Sequence, residues 1–436
     1  MRQDKAMGRA VGALAACLLL LSSSMVGSLS MNDVETKAMP EEMAPKPSGA
    51  RAYDNLVSFV DGSYRQIDSD ANKDRRAWIK SELESMGYEV EEQSFTTDEC
   101  NDCMNIVATL PGKMENSWVV VGAHHDAICY SPPPLIGQTY PTCSSQGAYD
   151  DATGVANLLE LAETMMKWGH TPEHTWKFGF WDYEEWQGSS SSEGGGKGSL
   201  HFVESVPEDV DVATYINLDM FGLNWPLTPP NLPTCSEDYF TLYLFASPIE
   251  DWSYYTDRGL ELTDEMREDA IRLQSQLVEI LHEQLEYPVE WVRVIDDTKG
   301  NSDHFNFIQA GYASVWIRGM HEYIIEEGDT CEQTIKHAQT DTLQILTTYA
   351  GGREELENGF QTALDALALF AWWDMNVSHG LGPSQYSDQS SLAGGIGLGW
   401  MLVLLVPIIA VPVVWALRIE KPEPIYRQVL DAELLD

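Results

Sequence analysis

The stretch "TWKFGFWDYEEW", residues 175–186, decides the fold. Five of its first seven residues are aromatic or glycine, Trp176, Phe178, Gly179, Phe180 and Trp181, a run too short for a helix and right for a buried strand. The run then ends in three carboxylates, Asp182, Glu184 and Glu185. Adjacent carboxylates repel, so a pair at the mouth of a buried strand has a cation or a proton to share.

Outward from this stretch the pattern recurs. "NIVATL", "SWVVVGA", "ATYINLDM" and "ASVWI" are short apolar runs ending in polar, acidic or glycine positions, and helical patterns such as "ATGVANLLELAETMMKW" lie between several of them. Alternating strands and helices predict an α/β fold, a largely parallel, twisted central sheet with helices on both faces. Upstream, "DRRAWIKSELESMG" places Trp78, Ile79, Leu83 and Met86 at helical spacing with Gly87 as the stop, and "YEVEEQSF" alternates as a strand. Helical patterns also fit "TDEMREDAIRLQSQLVEILHEQLE" and "REELENGFQTALDALALFAWWDM". No internal repeat is visible.

The 436 residues, 44% of them hydrophobic and 14 of them tryptophan, suffice for one large domain with appendages. A formal charge of −42 would repel a polyanion and argues against nucleic-acid partners. Arg2, Lys5 and Arg9 precede the apolar run Val11 to Leu21 and a small-residue segment, the layout of a secretory signal or signal anchor over residues 1–30. Residues 31–49 read as a linker, 50–377 as the main domain, and 378–393 as a Gly-, Ser- and Pro-containing stalk. Residues 394–417 contain no charge and are long enough for a transmembrane helix. Arg418, Lys421 and Arg427 follow it, so the tail 418–436 is expected in the cytoplasm and the main domain outside the cell membrane. Asn376 in "NVS" is a candidate glycan acceptor.

Six cysteines follow the signal, at positions 100, 103, 129, 143, 235 and 331, and in an exported domain they suggest disulfides. Cys100 and Cys103 in "DECNDC" have no second CxxC and no nearby histidines, so a local disulfide is favoured over a zinc knuckle. Cys129 and Cys143 flank a proline-rich loop and are candidates to staple it.

In open α/β sheets ligands collect at the carboxyl ends of strands. Those ends carry "GAHHD", "DYEEW" and "NLDM", a helix start carries "GAYDDATG", and a later loop adds "KHAQTDT". Histidines and carboxylates on five elements are the ligand chemistry of zinc-like divalent metals. His124 taken alone reads as a core histidine and Asp150 as a helix cap, but acids delivered repeatedly to one buried edge are costly unless a cation binds there.

In this order, "VVVGAHHD", "GAYDDATG", "DYEEW", "INLDM", "SDHFNFIQAG" and "HAQTDTL" resemble the co-catalytic zinc aminopeptidases of the M28 metallopeptidase family. The resemblance covers roughly residues 51 to 375. It implies a phosphorylase/hydrolase-like α/β fold, two Zn2+ (with Co2+ or Mn2+ as substitutes), peptide substrates and release of the N-terminal residue. It further implies His124, Asp150, Glu185, Asp219 and His337 as metal ligands, Asp150 being the bridge. Asp126 would orient His124, and Glu184 would be the general base that takes a proton from the bridging water. Asp182 then has only the role of a hydrogen-bond acceptor in the loop.

The chain departs from the pattern in two places. "WQGSSSSEGGGK" expands the turn after the glutamates, and Lys299 and Lys336 stand near positions where some relatives place an oxyanion-stabilising tyrosine. The alternatives are a single-zinc glutaminyl cyclase, against which the doublet Asp150 and Asp151 speaks, and a non-catalytic receptor-like ectodomain. Carboxypeptidase action would need a cationic grip, for which Arg293 and Arg318 are the candidates.

Overall fold

The computed structural model describes residues 43–61, 64–129, 145–185, 195–220, 222–223, 242–246, 256, 263–287, 292–296, 302–319 and 335–375. Helix α1 (Gly49–Val60) opens on Ser48, whose side chain accepts the Arg51 N–H, and α2 (Asp70–Met86) opens on Ser69 in the same way. Gly87, at φ 98°, ends α2 in the left-handed conformation glycine adopts without a steric cost. Strands β1 (Glu89–Phe95), β2 (Cys103–Leu110) and β3 (Met114–His124) follow, then α3 (Ala152–Trp168), β4 (His174–Trp181), α4 (Lys197–Ser205) and β5 (Asp211–Leu218). The chain continues through β6 (Leu242–Ala246), α5 (Asp264–Glu279) with a π turn at Ile280–Gln284, β7 (Val292–Asp296), α6 (His304–Gln309) and β8 (Ser314–Arg318). It closes with α7 (Leu343–Tyr349) and α8 (Arg353–Met375).

The strands form one sheet in the order β1, β2, β4, β3, β5, β8, β6, β7. Its centre, β4 to β8, is parallel throughout. The flanks are not: β1 and β2 pair antiparallel, β2 joins β4 antiparallel, and β6 runs against β8 while parallel to β7. The sheet is therefore mixed, where the sequence pattern predicts a largely parallel one. Residues 96–102 are too short a link for a parallel crossover, which takes about a dozen residues, so β1 and β2 form a hairpin. Strands β6 and β7 are each five residues long and stand apart from the runs recognised in the sequence. Helices α4, α6 and α7, of nine, six and seven residues, are too short to display a helical period.

Both faces of the centre are covered. Val119 and Val121 of β3 join a large apolar cluster with residues of α1, α3 and α8, while Val120 points the other way to Trp181, Phe202 and Phe307. Helix α3 is buried almost all round. Its start is pressed against the end of β5: a Cβ on Gly154 would collide with the Leu218 carbonyl and the Asp151 carboxylate. That close approach brings the Asp150 and Asp151 turn beside Asp219.

Part of the stretch 31–49 packs on the domain. Met43 is fully buried, Trp168 Nε1 donates to the Pro45 carbonyl at 2.8 Å, and the Ser48 N–H donates to Glu160 at 2.8 Å. Cys100 and Cys103 form a disulfide. Among the described residues no helix is long and apolar enough to cross a membrane. The signal segment, Asn376, the stalk, residues 394–417 and the tail lie outside the described residues. The chain divides into units Met1–Ser384 and Gln385–Asp436, the second wholly outside them.

Candidate metal centre

Three neighbouring parallel strands deliver the acids. β3 ends on His124, the chain leaving β4 carries Asp182, Glu184 and Glu185, and β5 is followed directly by Asp219. Asp150 lies on the turn before α3, and its peptide bond to Asp151 is cis. His337 arrives from the loop before α7.

Asp150 stands between the two histidines. Its Oδ1 lies 3.0 Å from His124 Nε2 and its Oδ2 3.1 Å from His337 Nε2. Each imidazole has a second acid of its own: Asp219 Oδ1 is 3.8 Å from His124 Nε2, and Glu185 Oε2 is 3.0 Å from His337 Nε2. The structure thus brings together all five residues singled out as ligands. Ligand atoms of His124, Asp150 and Glu185 lie within 4.8 Å of one another, as do those of His124, Asp151 and Asp219. Asp219 Oδ1 is buried with no hydrogen-bond partner among the described residues. A buried carboxylate oxygen left so, facing an imidazole, fits a cation between them, and the donor set of imidazole and carboxylate suits zinc. Asp151 is buried too: its Oδ1 accepts the Gly154 and Met220 N–H groups at 2.9 and 3.1 Å as the α3 cap, while its Oδ2, like Asp219 Oδ1, has no hydrogen-bond partner among the described residues.

Proton affinities follow from this crowding. Burial alone would lower the imidazoles, but the carboxylates around them outweigh it and hold His124 and His337 well above the usual histidine value. Burial would raise Asp150, but its hydrogen bonds to the two imidazoles hold it well below the carboxylate range. Burial, then the charge of Glu185 among others, pushes Glu184 well above its ordinary value against the pull of His124. Imidazole must be neutral to ligate, so a cation bound here would have to displace these protons.

Other side chains fix these groups. Asp126 faces His124 Nδ1 at 3.3 Å, and its two oxygens accept the Glu184 and Glu185 N–H groups at 3.1 and 3.2 Å. One carboxylate therefore orients a histidine and both glutamates. Asp182, as expected of a loop acceptor, receives Asn72 Nδ2, Met104 N–H and Tyr183 N–H, each at 3.0 Å. Ser302 donates to Asp219 at 2.7 Å and accepts from Asn217 at 2.7 Å; Tyr215 donates to Asn217, and Trp181 to Tyr215. Three residues at the centre have left-handed backbones without being glycine: Tyr183 (φ 58°), Met220 (φ 62°) and His337 (φ 56°). Such conformations cost roughly 1–3 kcal/mol each and persist where surroundings enforce them.

Two supporting residues carry no signal that sequence reasoning used. Asp341 accepts the Tyr149 N–H at 2.7 Å and the Asp150 N–H at 3.2 Å, and burial pushes its carboxyl up to about 8. Its place four residues after His337 was the available clue. Arg65 is fully buried, lies over the Phe59 ring, and donates to the carbonyls of His125, Gln146 and Gly147. It joins the loop after β3 to the loop before Asp150. Burial lowers it to about 10 against the pull of Asp341, Asp126, Asp151 and Asp150, which leaves it charged at neutral pH. A lone arginine in an unpatterned segment gives no warning of this.

Of the remaining candidates, Lys336 precedes His337 on the loop, and Lys299 lies outside the described residues, as do the Arg293 side chain and most of the expanded turn after Glu185. Arg318 lies over the Trp316 ring at 4.6 Å, with its Nε directed to the Gly319 carbonyl at 3.4 Å.

Residues 105–353 match the model of peptidase family M28. Leupeptin-inactivating enzyme 1 of Streptomyces exfoliatus is 28% identical over 147 residues, 33% of this chain and 28% of that protein. The chain thus spans little more than a quarter of that relative's length. Among solved structures, a leucine aminopeptidase precursor from Bacteroides thetaiotaomicron shares the fold with a TM-score of 0.52 at 16% identity, covering 74% of this chain and 98% of the other. Porphyromonas gingivalis glutaminyl cyclase shares it with a TM-score of 0.53 at 19% identity, over 74% and 98%.

Proposed function

The chain belongs to peptidase family M28, and on that premise we propose that it is a zinc-dependent aminopeptidase with a two-metal centre. The observation that carries this reading is the division of the Asp150 carboxylate, one oxygen toward each of two histidines that each have a further acid. A single-metal centre has no use for that symmetry. His124, Asp219 and one oxygen of Asp150 would hold one ion; His337, Glu185 and the other oxygen would hold the second. Zinc held there supplies an activated water and polarises the scissile carbonyl.

The chain's own residues do the rest. Glu184 is partly buried beside these ligands. With its proton affinity raised by burial and neighbouring charge, it is suited to take a proton from the attacking water and return it to the leaving amine. Asp126 holds the Glu184 N–H and so fixes the base relative to His124. Arg318, the described candidate for gripping a substrate carboxylate, instead lies over the Trp316 ring with its Nε directed to the Gly319 carbonyl, which favours recognition of a free N-terminus over a C-terminal carboxylate. Peptides are thus the substrates and the N-terminal residue the product. We further infer that residues 394–417 anchor the enzyme in the cell membrane with this domain outside and residues 418–436 in the cytoplasm.

The test uses the full chain in detergent, with metal content and release of the N-terminal residue from a mixed peptide set compared for wild type and Glu184→Gln. The expected result is about two zinc ions per chain in both and hydrolysis lost only in the variant, since general acid–base catalysis contributes roughly 10²- to 10⁴-fold. One metal per chain with pyroglutamate formed from N-terminal glutamine would move the assignment to a cyclase. No metal and no turnover would leave a binding ectodomain.

A further inference from the structure

The turn that carries Glu184 rests on the only CxxC segment of the chain. Tyr183, directly before Glu184, is fully buried among Ile67, Cys100 and Cys103, with Phe95 packed beside them. Its hydroxyl donates to Glu99, the residue before Cys100, at 3.1 Å. Its backbone is left-handed at φ 58°, which a tyrosine adopts only when its surroundings insist.

The disulfide loop is itself fixed. Asp68 accepts the N–H groups of Asn101 and Asp102, both at 2.8 Å, and Arg76 donates to the Asp102 carboxylate at 2.9 Å. Beyond Cys103 the same strand continues the support: the Met104 N–H donates to Asp182, and the Asp182 N–H donates to Asn105 at 3.1 Å. Residues 182–185 are also held by the start of α4, whose Gly196 and Lys197 N–H groups donate to the Glu184 and Tyr183 carbonyls at 2.8 Å, and two further grips act on them. Asp126 grips the N–H groups of Glu184 and Glu185, whereas the disulfide loop grips the side chain of Tyr183.

The geometry points to the Cys100–Cys103 disulfide loop as a positioning device for Glu184: through the buried Tyr183 ring it enforces the left-handed turn that aims the carboxylate. This rests on the reading of Glu184 as the base. Both cysteines are fully buried, which makes the cross-link a permanent brace. Loss of the brace leaves the Asp126 grip in place, so Glu185 and the metals stay while the carboxylate of Glu184 wanders. Misplacement of a reacting group by about 1 Å costs on the order of 10²-fold in rate.

The test compares the full-length wild type with Cys100→Ala/Cys103→Ala, Tyr183→Ala, Tyr183→Phe and Glu184→Gln. Readouts are metal content, kcat, KM and melting temperature. The expected result is a kcat about 10- to 100-fold lower in the double variant and in Tyr183→Ala, with KM within about twofold and metal content as in wild type. Tyr183→Phe, which keeps the ring and loses only the bond to Glu99, is expected to recover most of kcat. Should the double variant fail to fold, the Tyr183 pair decides alone. A lowered melting temperature with wild-type kcat per folded chain would reduce the disulfide to a fold staple and overturn the proposal; so would a loss of kcat that merely tracks loss of metal. Turnover retained by Glu184→Gln overturns the base assignment and this inference together, whereas an inactive Glu184→Gln beside fully active brace variants overturns this inference alone.

Discussion

The two halves of the centre are built in different ways. His124 ends a central strand, its side chain is fully buried, and Asp126 backs its far nitrogen. His337 comes from a loop in a left-handed backbone, with its side chain 32% exposed. Asp219 likewise follows a central strand and receives a hydrogen-bond chain four residues long, from Trp181 through Tyr215, Asn217 and Ser302. The first half is set when the sheet forms; the second depends on a loop tied down by Asp341. Where a polar site needs rigidity it draws on strand ends, and where it needs access it draws on loops.

The strongest challenge to this contrast is removal of what both halves share. Asp150→Ala is expected to abolish binding at both, with metal content falling below one per chain by elemental analysis and no detectable hydrolysis. Retention of one tightly bound metal would mean that the halves are independent.

Next in size is the difference between the two histidines. His124→Ala removes the imidazole that faces buried Asp126 and one oxygen of buried Asp150, so the metal-free chain should lose up to about 3–5 kcal/mol in denaturant unfolding. His337→Ala should lose one metal per chain and activity, and should destabilise the metal-free chain less than His124→Ala does, because its imidazole is partly exposed even though its partners Asp150 and Glu185 are buried. Equal destabilisation by both would erase the contrast between a buried and an open half.

Asp126→Asn should weaken metal binding about 10- to 100-fold by competition with a chelator, as the loss of a carboxylate behind a metal-bound histidine does. The effect should fall on the tighter of two resolved binding steps if the buried half is the tighter one.

The pH dependence of the metal-free chain tests the same electrostatics. His124 and His337 have raised folded-state values, so their contribution to stability is complete below the ordinary histidine value and lost as pH rises through the raised one. Asp303, raised by burial to about 7, and Asp341, raised to about 8, act in the same direction: their stabilisation is full below about 4 and disappears as pH climbs through those values. Asp150 is depressed and opposes them only in acid. Metal-free protein should therefore melt at progressively lower temperature between about pH 6 and 8, and the stabilisation added by zinc should grow over that window in scanning calorimetry. A gap between loaded and metal-free protein that narrows toward alkaline pH would contradict the described burial of these acids.

The same contrast explains what the sequence discloses. His124, Asp219 and the Glu184 and Glu185 pair are legible because each follows an apolar run that can only be a central strand, and a strand end is a fixed address. His337 follows no such run; its motif had to be matched as a family resemblance. Asp341 and Arg65 act on backbone groups of distant loops, and nothing in local periodicity encodes a contact made 192 residues away, as between Asp341 and Tyr149. The mixed sheet has the same origin. The central parallel strands are announced by the helices between them, whereas the direction of β6 depends on its pairing with β8, which comes much later in the chain.

One arrangement has a bearing on accuracy under thermal motion. Because Asp126 faces His124 and also holds the N–H groups of Glu184 and Glu185, a fluctuation of that carboxylate displaces a proton carrier and two metal-ligand candidates in the same direction. Their absolute positions drift, but their separations are conserved, as with instruments bolted to one bench. The centre thereby tolerates a breathing domain around it, because the errors its chemistry is sensitive to are relative ones.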